Sequence, residues 1–154
     1  MRPTIQAVRQ HYPAATLREE LFSDIGWNDL IGNKAYTDTC AIRMSYGLLR
    51  AGVSLPGARM KAKAGPLKGR FIEPGQARLS DILKQIWGAP EVYPSEAAAL
   101  AGIGERQGVV SFFRIGGGTG GHIDLIVRKP ASTLQRCARV CFWTAGTIWF
   151  WPLA

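Results

Sequence analysis

The sequence is short of the residue types on which several classes of protein depend. It has 3 cysteines and 2 histidines in 154 residues, too few for a disulfide framework or for a zinc site with paired ligands. No stretch approaches the roughly 18 consecutive apolar residues of a membrane-spanning helix, and the N-terminus lacks the apolar core of a secretory signal. We therefore expect no metal, no cofactor and no membrane insertion. If the protein works outside the cytoplasm, we expect it to be delivered by a route other than general export.

Acidic residues are also scarce. The chain has 11 Asp and Glu against 19 Lys and Arg, for a net charge of +8 and a pI near 9.9. Such a surface attracts anions, so nucleic acid, a membrane surface or an acidic cell-wall polymer remain possible on charge alone. A hydrophobic content of 47% with 19% charged residues predicts a folded protein, and residues 1–154 are expected to form a single domain.

Hydrophobic patterns predict helices in the first two thirds of the chain and strands in the last third. Helices are predicted over 4–12, 16–27, 37–52, 79–88 and 94–103, with a basic loop over 53–78 and strands over 108–115, 122–128, 139–143 and 147–153. Ser80 and Ser95 are the expected N-caps of the last two helices. Helices followed by strands indicate an α+β fold with an antiparallel sheet.

The stretch "IGGGTGGHIDL", residues 115–125, contains the G-x-G-x-x-G spacing of dinucleotide-binding loops. That fingerprint requires a helix after the loop and an acidic residue about 20 positions later. Here a predicted strand follows, and the chain has no Asp or Glu after Asp124. We therefore interpret the glycines as a hairpin connection, with His122 at the start of the next strand.

Cys40 and His122 are the candidates for nucleophilic catalysis. Cys40 begins a predicted helix, where backbone N–H groups favour an anion, should lower the thiol pKa and can stabilise an oxyanion. His122 follows on a strand, and a helix-borne Cys before a sheet-borne His is the chain order of papain-like hydrolases. Arg43, one turn after Cys40, is predicted to bind a substrate carboxylate or add positive potential. The alternative is that Cys40 is a small core residue and His122 a structural one.

Other candidate residues are more ambiguous. Asp124 should share a strand face with His122, although the same residue could satisfy a loop or a helix end. Cys137 and Cys141 could form a local disulfide in an oxidising compartment or lie unpaired in the core. The aromatic stretches "CFW" and "IWFWPL" are typical of core, and no signature of a nucleic-acid-binding module accompanies them.

Three stretches together resemble a known family. The segments "GWNDLIGNKAYTDTCAIRMSYGLLRAG", "GVVSFF…GGHIDL" and "IWFWPL" are similar to the type VI secretion amidase effectors of family four, which are small papain-like (NlpC/P60-type) peptidoglycan hydrolases. The motifs "TCAIRMS" and "GHIDL" carry most of the resemblance, which extends over most of the chain. It implies a papain-like fold with the cysteine-bearing helix packed on an antiparallel sheet.

The resemblance also implies a reaction and its setting. Cys40 would be the nucleophile and His122 the general base for cleaving the amide between D-glutamate and meso-diaminopimelate in stem peptides, with Arg43 and Gly121 contacting substrate. A type VI apparatus would deliver the protein into a rival's periplasm, which suits a Cys137–Cys141 disulfide. A cognate immunity protein would be its partner, and nucleic acid would not.

One feature departs from the family pattern. The family's third catalytic residue is an aspartate after "GHIDL", which this chain lacks. Either Asp124 takes that role, or Ser132, Thr133 or Gln135 does, or the site is a dyad. The rival hypothesis is a non-catalytic basic module that binds cell wall or nucleic acid.

Overall fold

The computed structural model describes residues 1–128 and 136–154, and in these ranges helices precede a sheet. The helices are α1 (Ile5–His11), α2 (Arg18–Asp24), α3 (Cys40–Arg50), α4 (Gln76–Trp87) and α5 (Glu96–Ile103). The strands are β1 (Met60–Lys61), β2 (Phe71–Ile72), β3 (Glu91–Tyr93), β4 (Gly108–Ile115), β5 (His122–Ile126) and β6 (Ala145–Pro152). Single 3₁₀ turns occur at Asn28–Leu30 and Lys34–Tyr36. No helix in these ranges has the length and apolar character needed to cross a membrane.

The main sheet has four antiparallel strands in the order β3-β6-β4-β5. The glycine-rich stretch joins β4 to β5 as a hairpin, as predicted, and places Phe112 opposite His122 in the ladder. Beyond β5, the chain after residue 135 adds a short extension, because Val127 N–H donates to Arg136 O at 2.7 Å and Ala138 N–H donates to Leu125 O at 2.8 Å. This extension covers the edge of β5 that would otherwise be open.

The sheet separates two hydrophobic clusters, because successive residues of a strand face opposite ways. Ile123 and Leu125 belong to the larger cluster, with most of α3 and the apolar face of α4. Ile126 and Phe112 belong to the smaller cluster, which includes residues of α5. In α3, nine residues are buried, Cys40, Ala41, Ile42, Arg43, Met44, Ser45, Gly47, Leu48 and Leu49. The start of α3 is thereby held close to β5.

Several predicted boundaries require correction. The predicted strand over 139–143 is wrong, because this stretch forms a bend and a turn instead. Its backbone N–H groups at Arg139 and Val140 donate to the buried carboxylate of Asp124. Ser80 does not cap α4, which begins at Gln76, and its hydroxyl instead donates to Gln76 O at 2.8 Å. Ser95 does cap α5, accepting from Ala98 N–H at 3.2 Å. The predicted loop over 53–78 contains the β1–β2 hairpin, and β3 was not predicted.

Candidate active site

Cys40 is the first residue of α3 and lies against β5. Its backbone N–H donates to Asp38 Oδ1 at 3.0 Å, so that carboxylate caps the start of the helix. The side chain is a free thiol with 2% of the residue exposed. The backbone groups of Ile123 and Ala41 lie near enough to the sulfur to favour its thiolate. The nucleophile candidate is therefore enclosed between the first turn of α3 and the residue that follows His122.

The expectation of a lowered thiol pKa is wrong. Burial of the Cys40 side chain raises its pKa well above the ordinary value, and the nearby Asp38 carboxylate raises it further. The backbone groups of Ile123 and Ala41 oppose this shift without overcoming it. The cause is tertiary: water is excluded from the thiolate, and a negative charge occupies the helix start. The raised pKa disfavours the thiolate, so the thiol needs a base to become a nucleophile.

His122 and Asp124 form a pair on β5. His122 Nε2 and Asp124 Oδ2 are 2.8 Å apart, although the two residues are separated by only one position on the strand. The imidazole is stacked on Phe112, with ring centroids 6.3 Å apart, and meets Phe142 edge-on at 5.0 Å. Because Asp124 occupies Nε2, Nδ1 is the ring nitrogen that can accept a proton from a thiol.

Asp124 is held from several directions. It is fully buried, at 0% exposure. Its Oδ1 accepts from Tyr12 Oη at 3.3 Å and from Leu125 N–H at 2.8 Å. The backbone N–H of Arg139 donates to both carboxylate oxygens at 3.3 Å, and that of Val140 donates to Oδ2 at 3.0 Å. A buried carboxylate with this many donors is fixed in one orientation, and it fixes His122 in turn.

The structure brings His122 and Asp124 together, and the Cys40 sulfur lies near the backbone of Ile123 between them. Within the described residues, no hydrogen bond joins the thiol of Cys40 to the ring of His122. The thiol packs with the larger cluster, and the ring packs on Phe112 and Phe142. Catalytic hydrogen bonds are often long in a free enzyme and form only in the substrate complex.

Arg43 and Gly121 have structural surroundings rather than open ones. Arg43 is 3% exposed, and its guanidinium donates to Thr39 Oγ1 at 2.9 Å and to the carbonyls of Pro13 and Thr16, both at 2.6 Å. Burial lowers its pKa. At Gly121, a Cβ atom would collide with the side-chain amide of Gln76. The contacts of Arg43 tie α3 to the N-terminal segment, and Gly121 lies half-buried beside Gln76. The role of both residues in substrate binding stays a prediction.

The remaining candidates divide in two. Cys137 and Cys141 form a disulfide, with Cα atoms 5.3 Å apart. Ser132, Thr133 and Gln135 lie outside the described residues, so Asp124 is the alternative for which the structure provides geometry. In the described ranges no group of three or more His, Cys, Asp or Glu side chains is arranged to hold a metal ion.

Five contributors to the site were not predicted from the sequence: the rings of Phe112 and Phe142, the hydroxyl of Tyr12 and the backbone N–H groups of Arg139 and Val140. Phe112 could have been found from the hairpin, since it lies opposite His122 when the ladder is drawn. Tyr12 offered no signal, because it lies 112 residues from Asp124. The donors from Arg139 and Val140 are backbone groups, and no side-chain pattern reports them.

The family of the chain follows from comparison with known proteins. Residues 36–151, which include Cys40, His122 and Asp124, match the family described as type VI secretion system (T6SS), amidase effector protein 4, or Tae4. The chain belongs to this family. The predicted resemblance is therefore confirmed, and the protein is an amidase effector of type VI secretion. No protein with curated annotation matches its sequence.

Solved structures show the same fold. Tae4 from Enterobacter cloacae has a TM-score of 0.76 with 20% identity, over 100% of this chain and 98% of that one. The Tae4-Tai4 effector-immunity complex from Enterobacter cloacae gives 0.74 and 20%, and that from Salmonella Typhimurium gives 0.69 and 18%, each over 100% of both chains. The predicted α+β, papain-like NlpC/P60-type fold, with N-terminal helices on an antiparallel sheet, is confirmed.

Proposed function

We propose that this protein is a cysteine amidase that cleaves the amide between D-glutamate and meso-diaminopimelate in peptidoglycan stem peptides. Cys40 is the nucleophile, His122 the general base and acid, and Asp124 the orienting residue. The observation that supports this assignment is the His122–Asp124 pair, 2.8 Å apart, on the strand whose backbone contacts the Cys40 sulfur. A base held by a buried carboxylate next to a thiol is the arrangement that nucleophilic catalysis requires.

The reaction is an acyl transfer in two steps. His122 Nδ1 takes the thiol proton, and the thiolate attacks the γ-carbonyl carbon of D-glutamate. The amide N–H groups of Ala41 and Ile123, which already favour negative charge on the sulfur, stabilise the thiolate as it forms. His122 then protonates the leaving amine, and the same ring activates the water that hydrolyses the thioester.

The raised pKa of the Cys40 thiol makes proton transfer to His122 an essential part of the proposed mechanism. Because burial and Asp38 disfavour the thiolate, the proposed mechanism has His122 take the thiol proton as the attack begins. The ring must therefore reach the sulfur from the neighbouring position on β5 when substrate is bound. The orientation of His122 by Asp124 is therefore central to the proposed mechanism.

The charge of the protein and its family indicate the polymer it acts on, its protein partner and its route of delivery. The stretch over 59–70 carries five basic residues, Arg59, Lys61, Lys63, Lys68 and Arg70, and such a surface favours the anionic sacculus. Related Tae4 structures are complexes with the immunity protein Tai4, so we expect a cognate immunity protein to block this site in producer cells. We expect a type VI apparatus to deliver the protein to the periplasm of a target cell.

The first experiment is digestion of diaminopimelate-type sacculi by the wild type, Cys40→Ala and His11→Ala, followed by mass spectrometry of the muropeptides. His11 is the second histidine and lies on α1 outside the site, so its variant is the matched control. We expect new fragments ending at D-glutamate from the wild type and His11→Ala, and none from Cys40→Ala.

Full activity in folded Cys40→Ala would refute the assignment of the nucleophile. The burial of Cys40 is the observation that favours the rival hypothesis of a binding module. Intact muropeptides from folded wild type, together with salt-sensitive binding to sacculi or nucleic acid, would favour that hypothesis.

A further inference from the structure

The turn between Cys137 and Cys141 is closed by the disulfide and surrounds the carboxylate of Asp124. The two cysteines flank Arg139 and Val140, which are the residues whose backbone N–H groups donate to Asp124. Three of the hydrogen bonds that hold this carboxylate therefore come from inside a five-residue disulfide loop. The loop is connected to the candidate site by direct contacts rather than through the core.

The backbone of the turn is otherwise anchored mainly at its beginning. Cys137 bridges to Ile126, and Ala138 N–H donates to Leu125 O at 2.8 Å. Past Ala138 the chain leaves the strand direction, and the N–H groups of Arg139 and Val140 turn toward the carboxylate. A cross-link across such a turn removes conformations that the open chain would sample. The disulfide thus restricts the part of the turn that the strand extension does not reach.

Phe142 connects the same turn to the base. It directly follows Cys141, and its ring meets the His122 imidazole edge-on at 5.0 Å. Both members of the His122–Asp124 pair consequently contact residues inside or next to the disulfide loop. A change in the shape of the loop must alter the surroundings of both.

We propose that the Cys137–Cys141 turn is a positioning element of the amidase, so that full activity requires its disulfide. The inference rests on the proposed function, in which Asp124 orients His122. Formation of the bond removes two protons and two electrons from the two thiols and transfers them to an oxidising disulfide, which becomes two thiols. In a thiol-reducing compartment the open turn offers its N–H groups less often to Asp124, and His122 loses its fixed orientation.

The test uses the whole protein in glutathione buffers of defined oxidised-to-reduced ratio, with the state of Cys137 and Cys141 read by alkylation and mass. The rate of cleavage of a peptide containing the D-glutamyl–diaminopimelate bond is measured in each buffer. We expect reduction to lower kcat at least tenfold with little change in KM and an unchanged circular dichroism spectrum, and reoxidation to restore kcat. The double variant Cys137→Ser/Cys141→Ser should have the low kcat in every buffer.

Equal kcat in the oxidised and reduced protein would overturn the proposal. The proposal would also be overturned if the loss of kcat came with the circular dichroism spectrum of an unfolded protein. The disulfide would then stabilise the fold rather than position the site. A change confined to KM would likewise assign the turn to substrate binding rather than to positioning.

A second variant tests the backbone donors without touching the disulfide. Val140→Pro removes the N–H that donates to Asp124 Oδ2, and Val140→Ala changes the side chain but keeps the N–H. We expect the kcat of Val140→Pro to fall well below that of Val140→Ala, which keeps the N–H donor. Equal activity of the two variants contradicts the inference, and if Val140→Pro does not fold, the glutathione series decides.

Amide hydrogen exchange separates this inference from the proposed function. Exchange at Arg139 and Val140 should be slower in the oxidised than in the reduced protein, whether or not substrate is cleaved. Failure of the oxidised wild type to cleave would refute the proposed function, whereas equal exchange in both states would refute the positioning role of the disulfide.

Discussion

The two sides of the candidate site are built in different ways. The thiol side depends on neighbours in sequence, because Asp38 caps the first turn of α3 and Ala41 contacts the sulfur. The carboxylate side depends on distant ones, because Tyr12 and Arg139 donate to Asp124 from 112 and 15 residues away. Asp38 and Ala41 are in place whenever the helix forms, whereas the contacts of Asp124, like that of Ile123 with the sulfur, need the whole fold.

The two sides therefore make different contributions to the proposed chemistry. Local structure places Cys40 but leaves it a neutral buried thiol, because exclusion of water outweighs the helix start. The distant contacts supply a base in a fixed orientation. The proposed mechanism therefore predicts that reactivity is controlled mainly from the carboxylate side.

The largest effect is expected from Asp124→Asn. This change keeps the size of the side chain but replaces an acceptor oxygen of the carboxylate, so the imidazole of His122 loses its orienting partner. By analogy with the aspartate of a serine protease triad, kcat should fall by about 10³–10⁴. The measurement is the rate of peptide cleavage, with Asp81→Asn on the exposed side of α4 as the control. Loss of less than tenfold would return the third role to Ser132, Thr133 or Gln135.

The next effect concerns stability and not chemistry. Arg43→Met keeps much of the apolar stem but leaves the carbonyls of Pro13 and Thr16 without their charged donor. We expect the free energy of unfolding in urea to fall by about 1–3 kcal/mol, while KM and kcat of the folded fraction hold. Arg9→Met, at an exposed position of α1, is the control. A large rise in KM would instead restore the predicted role of Arg43 in substrate binding.

A smaller effect is expected at Tyr12, where the two sides meet. Tyr12→Phe removes only the hydroxyl that donates to Asp124 Oδ1, and other donors remain. The free energy of unfolding should fall by about 1 kcal/mol, with a decrease in kcat of less than tenfold. Tyr46→Phe, which removes a partly exposed hydroxyl on α3, is the comparison. If the two variants behave alike, Tyr12 contributes nothing specific to the carboxylate.

The last effect is a dependence of stability on alkaline pH. Burial raises the pKa of both Cys40 and Tyr12 in the folded state, whereas in the unfolded chain they ionise near their ordinary values of about 8.5 and 10. The unfolded state therefore loses protons first, and stability should fall as pH rises from about 8.5. Urea midpoints between pH 7 and 10.5 measure the slope, which Cys40→Ala and Tyr12→Phe should each reduce. Slopes equal to that of the wild type would mean that neither group is buried in solution.

The features predicted correctly from the sequence are the ones that depend on neighbouring residues, and those that depend on distant contacts were missed. The strands β4, β5 and β6 were predicted because their apolar and glycine patterns are local, and Cys40 and His122 because each stands at the start of an element. The turn at 139–143 was predicted as a strand because its residues favour strands by composition. Its disulfide and its hydrogen bonds to Asp124 decide otherwise, and both are tertiary.

The same limit explains the error in chemistry at Cys40. A helix start favours the thiolate, and that much is local. The exclusion of water from the sulfur arises when α3 packs on β5, and no pattern within residues 37–52 reports it. For the same reason the start of α4 was placed three residues late, since Gln76 is fixed by its bond to Ser111 Oγ at 2.6 Å across the molecule.

The alternation of β5 also sets where this chain and its relatives are free to differ in length. His122 and Asp124 share one face of the strand, and Ile123 and Leu125 share the other with α3. Gain or loss of a single residue within β5 would exchange these two sets. His122 and Asp124 would then face α3 and lose the ring contacts and backbone donors that hold them. The glycine hairpin before β5 lies outside the ladder and carries no such constraint. Insertions should therefore accumulate in the hairpin during divergence, while the spacing between His122 and Asp124 stays fixed.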